Sequence, residues 1–196
     1  MVATNESTDL SESRTEGLAG VSRVATCLRE IVDAALASGR ERTNGGRDID
    51  SHQVHTERLA NLATEVEAAE SLLAYAQRAA EHDQFALETA AIFTAMVASR
   101  ARTSAFEQGD VFGVSSEQIE STLGSSEMQA FIRAGMDDRR IEALGQRVVE
   151  LGTTPDVWWE DDLERMTRDT VRAFARAEIA PHAQEIHMND DLVPEG

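Results

Sequence analysis

Apolar residues recur with helical period along most of this chain, and no useful length of strand-like alternation appears anywhere. Leu18, Val21, Val24, Ala25, Leu28, Ile31, Val32, Ala35 and Leu36 trace one face of a first helix. Thr15 fits its N-cap and Gly39 a left-handed terminator. The following stretch, RERTNGGRDID, contains Asn44-Gly45-Gly46 and cannot stay helical at low cost. A second helix, capped by Asp50 or Ser51, is predicted to run to about His82. It carries Leu59, Leu62, Ala63, Val66, Ala69, Leu73 and Ala76 at near-heptad spacing. At 1.5 Å per residue such a helix is a rod of about 45 Å.

A third helix is expected from about Phe85 to Glu107, with Ile92, Phe93, Met96, Val97 and Phe106 on its apolar side and Gly109 and Gly113 breaking it. Ser115 and Gln118 stand at capping-box spacing before a short helix that ends near Leu123-Gly124. The next begins after Ser125-Ser126 and buries Met128, Phe131 and Ile132. Asp137 or Asp138 then caps a helix containing Ile141, Leu144, Val148 and Val149. Leu151–Asp156, LGTTPD, combines Gly, Thr and Pro between two helical patterns and is the best domain boundary. The fold class is all-α. The expected domains are a disordered acidic tail over 1–15, a helical bundle over 16–150, a linker over 151–159, and the start of a further helical domain over 160–196.

With 196 residues, 41% hydrophobic and 28% charged, the chain is globular in composition and long enough to bury a core. Charge changes the picture further. Asp and Glu number 36 against 18 basic residues, all Arg, for a net charge of −18. So negative a surface argues against nucleic acid and anionic membranes as partners. Acid enrichment without Lys is the bias of salt-in halophilic archaea, while a high-GC genome accounts for the Arg preference but does not require so much acid. No apolar run is long enough to span a bilayer, and MVATNESTDLSESRTEG has no signal-peptide order. The single cysteine, Cys27, excludes an internal disulfide, and the expected compartment is the cytoplasm.

Few residues offer chemistry. His52 and His55, at i and i+3, have a spacing that can place two imidazoles on one metal, but no third ligand is evident. Surface or acid-paired histidines are the simpler reading. Asn44-Gly45-Gly46 could cradle a phosphate before a helix, yet it lacks the P-loop Lys and a preceding strand, which leaves a plain loop. Asp161, Asp162 and Glu164 resemble an acid/base set, but the helix macrodipole alone favours acids there. Trp158 and Trp159 are adjacent beside the linker, one to anchor it and the other to face a partner. Cys27 has no nearby basic partner and reads as a buried thiol. No catalytic, cofactor-binding or metal-binding residue is assigned.

Two segments carry a family resemblance. Near the C-terminus, Phe174, Ala175, Glu178, Ile179, Pro181 and Ala183, followed by Asp191-Leu192-Val193-Pro194, resemble the opening of the acyl-CoA dehydrogenase fold. His182, His187, Asp190-Asp191-Leu192 and Pro194 are similar to the methylsuccinyl-CoA dehydrogenase subgroup in particular. The segment Ser51–Gln77, with His52-Gln53, His55, Leu59, Leu62-Ala63-Thr64 and Val66-Glu67-Ala68, resembles a helix of that subgroup's N-terminal extension. The same segment also looks like the flavin-domain bundle of ordinary acyl-CoA dehydrogenases, as a degenerate copy of that bundle would.

The resemblance implies an FAD-dependent enzyme that oxidises an acyl-CoA, methylsuccinyl-CoA in this subgroup, at its α,β carbons, with a Glu base removing the α-proton. The β-domain and C-terminal bundle that would hold flavin, CoA and base are expected to be absent from these 196 residues. No family site residue is therefore carried onto a position here. The chain is expected to be a non-catalytic N-terminal portion, whether a truncated product, half of a split gene or an artificial boundary. Its partners would be the remaining acyl-CoA dehydrogenase domains or another copy of itself. The alternative is a free-standing helical interaction module.

Overall fold

The computed structural model describes residues 3–83, 85–152, 157–158 and 161–189, with side chains from residue 15 onward. The chain divides into two compact units, Met1–Asp156 and Val157–Gly196. All regular structure among the described residues is helical. The first unit contains α1 (Ala3–Arg42), a 3₁₀ turn (Ile49–His52), α2 (Gln53–Ala79), α3 (Ala86–Gln108), α4 (Ser116–Leu123), α5 (Ser126–Gly135) and α6 (Asp138–Leu151). No helix among the described residues is long and apolar enough to cross a membrane.

α3 occupies the middle, packed by α1, α2, α4 and α5. Ala86, Ala90, Ala91, Ala95, Ala98, Ala101 and Ala105 bury on several sides of it, and such small side chains let neighbouring helices approach closely. The α2 stripe is buried as its spacing predicts, with Leu59, Leu62, Val66, Ala69, Leu73 and Ala76 all inside. Val24, Leu28, Ile31, Val32 and Ala35 of α1 meet them, and Ile119, Leu123, Met128 and Ile132 close the core from α4 and α5. Arg29 Nε donates to Glu70 Oε1 at 2.9 Å and Arg29 Nη2 to Glu67 Oε2 at 2.8 Å. A residue before the α1–α2 turn thus meets residues about as far after it, which makes these helices antiparallel.

Caps account for the short helices. Ser115 Oγ accepts from Gln118 N and Ser125 Oγ from Met128 N, each at 3.2 Å. Asp137 rather than Asp138 caps α6, accepting from Arg139 N at 3.0 Å. Gly109 ends α3 at φ 69°, a conformation that costs glycine little.

Several expectations are corrected. α1 starts at Ala3, so Thr15 lies inside the helix rather than capping it. The sequence contains no Gly or Pro from residue 3 to 16, so nothing stops the helix upstream. Gly39 does not terminate α1 either. The left-handed residues are Asn44, Gly45 and Gly46, and Gly39 is needed for space, since a Cβ there would lie 2.6 Å from Leu59 Cδ2. Neither Asp50 nor Ser51 caps α2, because the 3₁₀ turn supplies its start. Phe106, Ile141 and Val149 are exposed rather than on buried faces. α6 buries no residue fully; Arg147 pairs with Glu88 at 2.5 Å and lies over the Phe85 ring at 4.8 Å.

The second unit holds α7 (Asp162–Phe174), a π-helical segment (Ala175–Ile179) and α8 (Ala180–Asn189). Pro181 explains the π segment. Its nitrogen cannot donate to the carbonyl of Ala177 and its ring would crowd that group, so the helix widens just before it. Ala180 N–H correspondingly reaches Ala175 O, five residues back. Leu163, Met166, Val171, Phe174 and Ile179 are all exposed. The Thr153–Asp156 part of the linker, Trp159 and the Asp190–Pro194 end of the resemblance lie outside the described residues.

Candidate functional site: a buried histidine at one end of the bundle

Extending the α2 heptad one step back from Leu59 reaches His55, and the structure places this imidazole on the buried stripe at 9% exposure. Three elements enclose it. From α1, Gly39 faces the ring, its would-be Cβ 4.0 Å from Nε2. From the loop after α3, Gly113 does the same, its would-be Cβ 3.3 Å from Cε1. A Cβ on Gly113 would also collide with the Ser38 side chain of α1, and its φ of 72° suits glycine. Both glycines leave room where an imidazole is wedged between backbones.

The ring donates to the backbone carbonyl of Val111, while Nε2 is buried without a hydrogen-bond partner. Burial holds its pKa below the ordinary histidine value, and the Arg42 charge pushes the same way. Asp110, which pulls it back up, is itself 3.9 Å from Arg42. Beside the histidine opens a cleft of about 550 Å³, lined by Arg42, Asp50, His52, Arg58 and Asp110 among others. Its charges are mixed, two guanidinium groups against two carboxylates.

The structure does not bring His52 and His55 together as ligands. His55 is enclosed while His52 is half-exposed, and no group of three or more His, Cys, Asp or Glu able to hold a metal exists among the described residues. The Asn44–Gly46 loop has no free amides for a phosphate. Asn44 N donates to Glu41 O, Gly45 N to Arg40 O, and Gly46 N to both Thr43 O and Thr43 Oγ1. Asp161 caps α7 by accepting from Leu163 N at 2.6 Å, and Asp162 pairs with Arg165 at 2.7 Å. Capping therefore accounts for that acidic run. The Cys27 thiol is half-buried, and its pKa is raised by burial and then by Glu30, which disfavours the thiolate. Trp158 is half-buried.

Around His55 the arrangement offers an imidazole held between two glycine backbones beside a cleft of mixed charge. In sequence His55 reads as a partner of His52, as a surface or acid-paired histidine and as part of the family likeness, but not as a core residue. The register of the heptad was the available signal, and it points to burial.

No curated protein and no solved structure gives a significant match to the chain. Residues 11–133, well over half of the sequence, match the family model described as acyl-CoA dehydrogenase, C-terminal domain. That span takes in α2, whose likeness to the flavin-domain bundle is one of the sequence's own pointers, and nearly all of the core-forming helices α1 to α5. The family's C-terminal bundle, expected to be absent, is therefore the domain that these residues match, and the chain belongs to the acyl-CoA dehydrogenase family through its all-helical C-terminal domain.

Proposed function

We propose that this chain is a non-catalytic helical portion of an FAD-dependent acyl-CoA dehydrogenase of the methylsuccinyl-CoA dehydrogenase type. It works by packing against the catalytic body of that enzyme or against another copy of itself. The observation that carries the reading is the family match over 11–133, joined to a second unit whose motif resembles the family's opening helix. In this reading residues 16–150 are an extension domain, a copy of the family's helical bundle placed ahead of the catalytic fold. Residues 151–159 link it to 160–196, the start of the N-terminal α-domain. FAD belongs to the complete enzyme, whose protein groups must fix the flavin's reactive atom against the substrate. The acidic, Lys-free surface suits a salt-rich haloarchaeal cytoplasm.

The test is reconstitution. The purified chain should carry no flavin absorbance and show no acyl-CoA oxidation. Mixed with a polypeptide holding the β-domain and C-terminal bundle of a methylsuccinyl-CoA dehydrogenase, it should co-elute in gel filtration. Stoichiometric yellow flavin on the chain alone would overturn the reading. Failure to co-elute would favour the free-standing interaction module.

A further inference from the structure

We propose that His55 is a proton-operated latch: neutral, it locks the C-terminal end of α1 to the Asp110–Val114 loop at the head of α2, and protonated, it lets that corner open. The geometry is that of a wedge. One ring edge is tied to the Val111 carbonyl, and Nε2 faces the Gly39 backbone with no acceptor in reach. Protonation would put a second N–H on Nε2 inside this enclosure, where a buried donor without a partner is costly. The ring satisfies that donor only by turning out towards the cleft, which removes its bond to Val111.

The charges around the ring set the direction. Arg42 on α1 and Arg58 on α2 disfavour a second positive charge, and so does a protonated His52. Asp110 on the loop favours it but is drawn to Arg42, and Asp50 stands on the 3₁₀ turn across the cleft. The folded ring therefore resists protonation more than the free one. Its contribution to the closed corner is complete above the ordinary value of 6.5 and is lost as pH falls below it towards the lower folded value. What the latch releases is substantial, because Val111, Phe112 and Val114 all insert into the core.

Amide hydrogen exchange between pH 7.5 and 5.5, corrected for the intrinsic chemical rate, tests this. In the wild-type chain, protection over 109–114 and the last turn of α1 should fall several-fold, up to about tenfold, the limit set by an opened imidazole with the ordinary value of 6.5. Protection in the middle of α2 should not change. In His55→Gln the corner should lose this pH dependence. An equal fall in both proteins, or none in the wild type, overturns the proposal. Should His55→Gln fail to fold, NMR titration of the wild-type imidazoles decides: His55 must titrate below 6.5, and a value at or above 6.5 refutes the latch.

Discussion

Gly135, at the end of α5, sits directly on Ala95 of α3. A Cβ built on the glycine would collide with the Ala95 methyl and lie 3.3 Å from the Ala91 carbonyl. Neither obstacle can rotate away, one being a methyl fixed to the backbone and the other backbone itself. Gly135→Ala gains up to about 1 kcal/mol of helix propensity but overpacks a closed contact at a cost of about 1–3 kcal/mol. We expect net destabilisation in urea unfolding. Gly145→Ala, in α6, is the control. A Cβ there meets nothing within 4 Å, so that variant should be stabilised by about 0.5–1 kcal/mol.

The charge of −18 predicts salt-dependent folding. Raising ionic strength from 0.1 M to 1 M shortens the screening length from about 10 Å to about 3 Å, which relieves repulsion among carboxylates spread over the surface. The same salt weakens the Arg29–Glu67 and Arg29–Glu70 pairs, but partly exposed ion pairs are worth only about 0–1 kcal/mol each. Relief should win. Helical ellipticity and Tm should both rise with potassium chloride, and unchanged values up to several molar would sink the halophilic reading.

The helical periods made the bundle legible, because burial of a heptad stripe follows from spacing alone. Leu59, Val66 and Leu73 needed no tertiary information. His55 needed the same spacing to be trusted over residue type, since a polar residue in register with the stripe is still carried into the core. Gly39 was readable only as a helix breaker until its distance to Leu59 was known, because glycine serves both for left-handed turns and for close packing. The corner around His55 joins three segments far apart in sequence, and no local pattern encodes such a meeting.

Phe106 and Ile119 line the same shallow groove, yet they should behave oppositely. Phe106 is 90% exposed and Ile119 is 1% exposed. Phe106→Ser should leave unfolding free energy within about 0.5 kcal/mol of wild type. Ile119→Ala should cost about 2–5 kcal/mol through lost burial and the cavity left behind. A large loss from Phe106→Ser in a verified monomer would mean that this ring is covered in solution.

Helix α7 should exchange its amide hydrogens faster than α2. Its apolar side chains are exposed, Leu163 at 70%, and its thirteen residues approach the length at which an isolated helix is marginal in water. The Asp161 cap and the Asp162–Arg165 pair support its first turn, and Pro181 interrupts the regular hydrogen-bond ladder beyond its end. None of these supplies the tertiary packing that makes α2 persistent, where seven stripe positions from His55 to Ala76 are buried. Protection factors over 163–174 should therefore fall well below those over 59–73. Adding the polypeptide of the proposed reconstitution, with the β-domain and C-terminal bundle of a methylsuccinyl-CoA dehydrogenase, should raise the first set and leave the second unchanged. Protection equal to that of α2, in a verified monomer, would refute this account of α7 as a helix waiting for a surface.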